Sequence, residues 1–284
     1  MKENEAFEII TTGGKGTLIA PHYHEDAFEF IEVVRGSADV TVGLSTIHAP
    51  CGAILHLIPG YVHFAVAHGN EECFLRVLTY RRDAAFTLDG LDERFLSLYL
   101  LPIENRVTLF LPEHSLNARL ARHMENAIGE WRGKEIFYTS LVLAEISHML
   151  AAVLRFYGYR EEDDPEYRNV MRMAPTVEYV LANYASKLRL EEMAQKLFLS
   201  PDHFGKLFRQ TVGLTPIEYV NNIRVSAAMR YLASTNWTIA DISKSSGFSN
   251  TNYFHKVFRD LVGIGPAALR KQWQAMKSEL QASV

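Results

Sequence analysis

Four side chains near the N-terminus have the types and the spacing of a metal or ligand site. His22 and His24 are separated by one residue, Glu29 follows, and His63 comes after a further predicted strand. Because side chains alternate between the two faces of a strand, His22 and His24 would project from the same face. A glutamate and a third histidine from neighbouring strands would complete a facial cluster, and imidazole and carboxylate are ligands for divalent metals.

The spacing of these residues resembles that of the cupins, in the frame Gly16-x5-His22-x-His24-x4-Glu29-x6-Gly36. Pro59-Gly60 precedes His63 but lacks the intervening residue of the usual cupin PxG pattern. The resemblance implies a small β-barrel. Three roles stay open for the four side chains: metal ligation, contact with an organic effector without a metal, and a purely structural role. Tyr23, between the two histidines, is a further candidate for effector contact.

A second set of polar residues lies in a duplicated segment near the C-terminus. KLFRQTVGLTP at Lys206–Pro216 aligns with KVFRDLVGIGP at Lys256–Pro266 at an offset of fifty, whereas Glu191–Leu197 aligns with Ala240–Ser246 at forty-nine. The second copy therefore carries one extra residue in its turn. Each copy has the spacing of a helix-turn-helix, with a short helix, a tight turn and a second helix.

The second helix of each copy has an apolar face and a polar face. Apolar residues at i, i+3 and i+4 must pack in the core, and these are Phe204, Leu207, Phe208, Phe254, Val257 and Phe258. Ser200 is the predicted N-cap of the first helix, and Ser249 or Asn250 of the second. The opposite face carries side chains whose donors and acceptors match base edges and phosphates. The predicted DNA-binding residues are His203, Lys206, Arg209, Gln210, Asn250, Thr251, Asn252, His255, Lys256 and Arg259.

The segment Ile239–Arg270 resembles the C-terminal signature of the AraC family of bacterial regulators. The matching residues are Gly247-Phe248, Tyr253-Phe254, Phe258-Arg259, Gly263, Pro266 and Arg270. The resemblance spans Thr176–Met276 and implies two helix-turn-helix subdomains joined by one long helix over Pro216–Ala233. Two residues depart from the family pattern. Leu269 replaces the usual aromatic residue, and Gly265 replaces a Thr or Ser, so the last helix lacks a side-chain oxygen at its cap.

The AraC resemblance implies a transcription regulator with several partners. These are double-stranded DNA, a small-molecule effector in the N-terminal barrel with a sugar as the first candidate, a second copy of the chain, and RNA polymerase. No cofactor is required, and a divalent metal in the barrel is the one candidate. The alternative is a metal-dependent cupin enzyme, such as a sugar isomerase or dioxygenase, fused to a DNA-binding module. Because no phosphate loop or Ser/His/Asp nucleophile motif is apparent, we predict that the chain is not an enzyme.

The net charge of −4 hides two electrostatically different parts. From Val170 onward there are 14 lysines and arginines against 8 aspartates and glutamates, whereas residues 1–169 have 15 against 25. The basic part can neutralise phosphates, and the acidic part is repelled by them. This asymmetry favours nucleic-acid binding by the C-terminal part.

The patterning predicts an α+β chain with three segments. Residues 1–158 form a cupin-like sensing and dimerisation domain, 159–170 a charged linker, and 171–284 an all-α DNA-binding domain. Short apolar runs with strand character occupy about 7–85, and helical periodicity begins near Leu91. The predicted helices Ser115–Trp131 and Ile136–Tyr157 carry more apolar residues than one helix face buries, which favours homodimerisation. A polar N-terminus and short apolar runs predict a cytoplasmic protein without membrane contact.

Overall fold

The computed structural model describes residues 6–24, 27–43, 45–69, 71–81, 107–156 and 165–282, with β-structure first and helices after it. The strands are β1 (Phe7–Gly14), β2 (Thr17–His22), β3 (Ala27–Arg35), β4 (Ala38–Val42), β5 (Ser45–Ala49), β6 (Ile54–Leu57), β7 (His63–Ala67), β8 (Cys73–Arg81) and β9 (Val107–Phe110). The helices are α1 (Asn117–Gly133), α2 (Tyr138–Phe156), α3 (Pro165–Asn183), α4 (Leu190–Gln195), α5 (Pro201–Val212), α6 (Pro216–Ser234), α7 (Ile239–Ser245), α8 (Thr251–Val262) and α9 (Pro266–Ala282). The predicted α+β class is confirmed.

The nine strands form two antiparallel sheets, which we call the β-domain. One sheet has the order β1-β8-β3-β6-β9 and the other has the order β2-β7-β4-β5. Apolar side chains from both sheets share one core, in which Ile31, Val40 and Leu75 have no exposed surface. Pro21 is tolerated in β2 because that strand is at a sheet edge, where a missing N–H does not break a ladder.

Strand β3 is buried on both faces, and this determines where the Glu29 carboxylate lies. Phe28 and Phe30 pack in the core beneath α1 and α2, whereas Ile31 and Val33 pack between the sheets. Because side chains alternate along a strand, Glu29 lies on the same side as Ile31, between the sheets. The sequence AFEFIEVV therefore buries a glutamate inside the β-domain.

Helices α1 and α2 pack against each other and against the five-stranded sheet. Of the apolar residues on these helices, Leu120, Met124, Ile146, Leu150 and Leu154 are buried in this core, and Leu143 packs against it. The apolar residues beyond one helix face, which suggested homodimerisation, therefore pack within the chain. The sheet presents a second apolar face to the two helices. Helix α2 is long and apolar enough to cross a membrane by length and composition, but its buried residues belong to this core.

Helix α3 begins at Pro165, inside the predicted linker 159–170, because proline suits the first turn of a helix. Residues 157–164, like the predicted helix from Leu91, lie outside the described residues. Strand β9 was not predicted. It has only four residues and pairs with β6, so its apolar pattern is too short to recognise. Cys73 is buried and Cys51 is exposed.

The helical half contains two similar units joined by α6. We call α4–α5 the first unit and α7–α8 the second unit. Phe204 and Phe208 are fully buried in the first unit, as are Phe254 and Phe258 in the second. Helix α6 serves both, since Tyr219 packs in the first core and Met229 in the second. The predicted long helix over Pro216–Ala233 is confirmed within one residue.

The cores of the two units have different neighbours. Helix α3 completes the core of the first unit, through Met173, Val177 and Val180. The core of the second unit contains Val62 of the β-domain, with Tyr23 and Phe64 packed against it. Helices α6 and α9 also contact strand β2. The β-domain therefore packs directly on the second unit.

Candidate functional site

His22, His24, Glu29 and His63 come together at one end of the β-domain, and we call these four residues the histidine cluster. His22 ends β2 and pairs in register with His63, the first residue of β7. His24 lies two residues further on, beyond the end of β2, and Glu29 reaches the cluster from β3 in the opposite sheet. All four predicted residues thus meet, including His63, despite the departure of Pro59-Gly60 from the PxG pattern.

The three imidazole rings surround the Glu29 carboxylate. His24 Nε2 lies 2.7 Å from Glu29 Oε1, His22 Nε2 lies 3.6 Å from the same oxygen, and His63 Nε2 lies 2.8 Å from Oε2. Thr79 Oγ1 donates to Oε1 at 3.0 Å from β8. The possible ligand atoms all lie within 4.8 Å of one another. The cluster is compact enough for one ion or one small polar group.

Burial and charge act in opposite directions on Glu29. Its side chain is 3% exposed, and this desolvation raises the pKa of the carboxyl. Interaction with the rings of His63, His22 and His24 lowers that pKa more, so it ends well below its ordinary value. The carboxylate is therefore ionised at neutral pH, and its two oxygens can only accept hydrogen bonds.

Tyr23 does not belong to the cluster, although it lies between His22 and His24 in sequence. It packs against the core of the second unit, and the Arg230 guanidinium on α6 lies 5.3 Å from the centre of its ring. Arg230 also donates to the Tyr184 hydroxyl at 2.9 Å. The two cluster histidines thus flank the residue that joins the β-domain to the helical half.

The predicted DNA-binding residues lie on α5, on α8 and at the N-terminus of α8. All are exposed except His255, which is half-buried. Ser200 caps α5 by accepting from the His203 N–H at 3.4 Å, and Asn250 caps α8 by accepting from the Tyr253 N–H at 2.9 Å. Asn250 therefore uses its side-chain oxygen inside the protein and has its amide N–H groups left for other partners.

The two recognition surfaces differ in one electrostatic contact. Arg209 on α5 lies close enough to Glu218 to lower the pKa of that carboxyl, after larger contributions from its hydrogen bonds with Thr215. The position matched to Glu218 in the repeat is Ala268, so Arg259 has no corresponding acid there. The negative charge of Glu218 partly offsets the positive charge of Arg209. The second surface is therefore more basic than the first at this position.

Sequence reasoning missed the residues that support and connect the sites. Thr79, Tyr184 and Arg230 act over long sequence separations, and no local pattern marks them. His48 and His68 were not singled out by the sequence, and both donate through Nδ1 to Asp39, at 3.0 and 2.9 Å. Cross-strand pairing of Asp39 with His48 explains this contact, and strand register was not predictable from the sequence.

Fold and site together define a two-part DNA-binding protein, with a ligand-binding β-domain and a double helix-turn-helix. Residues 6–168 match the AraC-like ligand binding domain, and residues 193–272 match a helix-turn-helix domain. The chain belongs to the AraC family of transcriptional regulators. The order of an AraC-like ligand binding domain followed by a helix-turn-helix domain is as predicted.

Relatives cover the chain to different extents. The regulatory protein PocR of Salmonella typhimurium is 39% identical over 101 residues, which are 36% of this chain and 33% of PocR. The uncharacterized HTH-type transcriptional regulator YdeC of Bacillus subtilis is 24% identical over 257 residues, which are 88% of this chain and 85% of YdeC. The chain thus matches a third of the length of PocR and most of YdeC.

Fatty-acid-bound ToxT of Vibrio cholerae has the same fold. The two structures superpose with a TM-score of 0.54 at 16% identity, over 95% of this chain and 97% of ToxT. The likeness extends across both halves, which supports the order of a β-rich domain, following helices and a helical DNA-binding domain.

Proposed function

We propose that α5 and α8 enter successive major-groove segments of DNA and that a ligand in the β-domain sets the affinity of this contact. The duplicated surface is the observation that supports the first part. Lys206 and Lys256 are matched and exposed, as are Arg209 and Arg259, and both helices begin with a side-chain cap. Two such helices joined by one rigid helix present their basic faces at a fixed spacing.

Substitution of the matched arginines tests this surface. Arg209→Ala and Arg259→Ala each remove a phosphate-binding cation from an exposed position, so the fold should be preserved. We expect each variant to bind a duplex selected by the full chain more weakly, and the slope of log K against log salt to fall by about one. Fluorescence anisotropy across a salt series measures both quantities. Wild-type affinity and slope in both variants would contradict the assignment.

The proposed effector site is the histidine cluster. Tyr23 would transmit a change at this site to the helical half. A ligand can change DNA affinity only by binding one arrangement of the two halves better than another. The cluster is suited to this because Tyr23, between His22 and His24, packs on Arg230 of α6. Movement of the histidine segment would shift the contact with the helix that joins both units.

An organic ligand class is proposed from the relatives alone. A sugar is the sequence-based prediction, and fatty acids join the panel because ToxT was solved with an unsaturated fatty acid. Thermal unfolding of the full chain against sugars and fatty acids tests this proposal. A bound ligand at one hundred times its Kd should stabilise the folded chain by about 2.7 kcal/mol. No shift in Tm across the panel would contradict an organic effector of these classes.

A regulator without enzymatic activity is the proposed reading of the cluster. The alternative, a metal-dependent enzyme fused to a DNA-binding module, would turn over a substrate when supplied with Mn²⁺, Fe²⁺ or Zn²⁺. We expect no turnover of sugars or dioxygenase substrates under those conditions. Oxygen uptake and product chromatography of the metal-supplied chain separate the two readings.

The remaining proposals concern partners and location. We propose a cytoplasmic regulator that contacts RNA polymerase and acts as a homodimer. Since the inner faces of α1 and α2 are used in the core, dimerisation would need the exposed apolar residues before and within α2, namely Ile136, Phe137 and Leu141. Sedimentation velocity at tens of micromolar tests this proposal, and monomer alone would contradict it.

A further inference from the structure

Two short polar motifs face each other where α1 packs against α2. His123 and Asn126 are three residues apart on α1, and Glu145 and His148 are three residues apart on α2. Residues at i and i+3 lie on the same face of a helix, so each motif presents both of its side chains together. Metal sites in helical bundles are built from such side chains on facing helices. We call His123, Glu145 and His148 the helix-pair group.

Two imidazole nitrogens from different helices approach one oxygen of the Glu145 carboxylate. His123 Nδ1–H donates to Glu145 Oε2 at 2.5 Å, whereas His148 Nδ1 lies 3.9 Å from the same oxygen, too far for a hydrogen bond. The two ring centres are 4.9 Å apart. Ligand atoms from all three residues lie within 4.8 Å of one another. The three side chains thus converge on one point, and a single hydrogen bond engages only two of them.

Asn126 orients the carboxylate from outside the group. Its Nδ2 donates to Glu145 Oε1 at 3.1 Å, which leaves Oε2 directed at the two histidines. Hydrogen bonds of this kind orient the carboxylate ligands of metal sites. The side chains of His123 and Glu145 are only 15% and 21% exposed, so both are held by their surroundings, whereas His148 is 60% exposed. The group therefore has a fixed inner part and a side open to solvent.

We propose that the helix-pair group binds one divalent transition-metal ion of the Zn²⁺ class, through one ring nitrogen of each histidine and Glu145 Oε2. Imidazole and carboxylate together suit such ions, whereas Ca²⁺ and Mg²⁺ prefer oxygen ligands alone. The neutral ring of His123 keeps its one proton, which moves from Nδ1 to Nε2 when the ion takes its place. Water fills the fourth position from the open side. The ion joins α1 to α2, independently of the histidine cluster and of DNA.

A similar group on the β-domain serves as a matched control. Asp39, His48 and His68 also bring ligand atoms within 4.8 Å of one another. There, however, the two rings donate to different oxygens of the carboxylate, so both hydrogen bonds are already made. About half of each histidine side chain is exposed, so neither ring is held in place. Substitution of both histidines by alanine should therefore leave the Zn²⁺ affinity of the helix-pair group unchanged.

Calorimetric titration of the tag-free, chelator-treated full chain with Zn²⁺ tests the site. Because the histidine cluster also carries metal-ligand side chains, the titration is made in the background His22→Ala, His24→Ala. We expect one Zn²⁺ per chain in this background. Asn126→Ala, which removes only the supporting hydrogen bond, should weaken binding about tenfold. His148→Ala and Glu145→Gln each remove a ligand and should weaken binding more than Asn126→Ala.

Two results would overturn the site. One is no Zn²⁺ binding by a background chain that is folded by circular dichroism, and the other is unchanged Zn²⁺ affinity in both His148→Ala and Glu145→Gln. His148 is the safer substitution because its side chain is mostly exposed. If the background chain does not fold, the comparison is made in the otherwise wild-type chain. There, His123→Ala combined with Glu145→Gln should lower the bound Zn²⁺ by one per chain, and an unchanged amount would contradict the proposal.

Discussion

The two helix-turn-helix units have similar sequences but different surroundings. The first unit completes its core with α3 and with Tyr219 of α6, whose ring lies 5.4 Å from that of Phe208. In the second unit the position matched to Tyr219 is Leu269, and Val62 of the β-domain belongs to the same core. A duplicated module thus has one copy packed within the helical half and one copy packed on the sensor. The second copy is therefore the one that is in direct contact with the domain proposed to bind the ligand.

The two units also differ in local backbone conformation and in helix capping. The left-handed turn position is Gly247 in the second unit and Phe198 in the first, at φ of 88° and 55°. The first unit is followed by a capping box between Thr215 and Glu218, whereas Gly265 and Ala268 hold the matched positions after the second. The helix that follows the first unit therefore has a side-chain cap that the helix after the second unit lacks, and the second unit packs on the β-domain. The following predictions test that difference.

The largest effect is expected from Gly247→Ala. A Cβ atom there would lie 2.4 Å from the Tyr184 carbonyl oxygen, in a backbone region that costs a non-glycine residue energy. The strain and the overlap together should destabilise the second unit by on the order of 3 kcal/mol. Urea unfolding followed by far-ultraviolet circular dichroism measures this loss in either unit. Phe198→Ala is the matched control in the first unit and should change stability by less than about 0.5 kcal/mol, because the side chain is 96% exposed. Equal losses would contradict the comparison.

Tyr23→Ala should uncouple the β-domain from the second unit. It removes the ring over which Arg230 lies, without touching the cluster or the recognition helices. We expect the ligand-free DNA affinity to stay within about twofold and the ligand response to fall by a coupling of roughly 1–3 kcal/mol. The DNA affinity with and without the sugar or fatty acid that raises the Tm most measures this coupling. Tyr184→Phe, which removes only the hydroxyl bound by Arg230, should have a smaller effect. A full change of DNA affinity on ligand binding in Tyr23→Ala would show that the coupling does not depend on Tyr23.

Arg259→Ala should weaken DNA binding more than Arg209→Ala. Glu218 already interacts electrostatically with Arg209, whereas the residue that aligns with Glu218 in the second copy is the uncharged Ala268. The difference should be roughly two- to threefold in Kd, because exposed ion pairs contribute about 0.2–1 kcal/mol. Glu218→Gln keeps the capping-box residue type and should remove the difference. Identical losses in the two arginine variants while Glu218 is present would show that the surfaces are equivalent.

The smallest effect is expected from Gly265→Thr, which supplies the missing cap of α9. A Cβ at this position meets no atom within 4 Å, so the side chain fits. Replacement of a glycine cap by threonine should stabilise the helix by a few tenths of a kcal/mol, that is about 0.3. The reverse change, Thr215→Gly, should cost more because it also breaks the capping box with Glu218. Thermal unfolding of both variants compares the two caps.

The sequence predicted what depends on local pattern. The recognition helices, their caps at Ser200 and Asn250, and the long α6 followed from periodicity and capping residues. The histidine cluster was predictable as a set, because alternation in strands and the cupin-like frame favoured it. The register that sets His22 opposite His63 was not, since strand pairing depends on the whole sheet.

The contacts between the two halves were also beyond the sequence. Tyr23 was predicted to contact the effector, yet it packs on Arg230, which lies far away along the chain. Only the packing of the β-domain on α6 and α9 brings these residues together. The apolar faces of α1 and α2 were ambiguous for a similar reason, because a sheet and a second subunit are equally good partners for an apolar helix.

The central claim is that the occupant of the histidine cluster sets DNA affinity. The most direct measurement is the Kd for the selected duplex with and without a saturating concentration of the sugar or fatty acid that raises the Tm of the full chain most, in the wild-type chain and in the double variant His22→Ala, His24→Ala. We predict that this ligand changes the wild-type Kd by about 5- to 150-fold. The double variant should keep the ligand-free Kd and show no response. A wild-type Kd that the ligand leaves unchanged, or an equal response in the double variant, would contradict the claim.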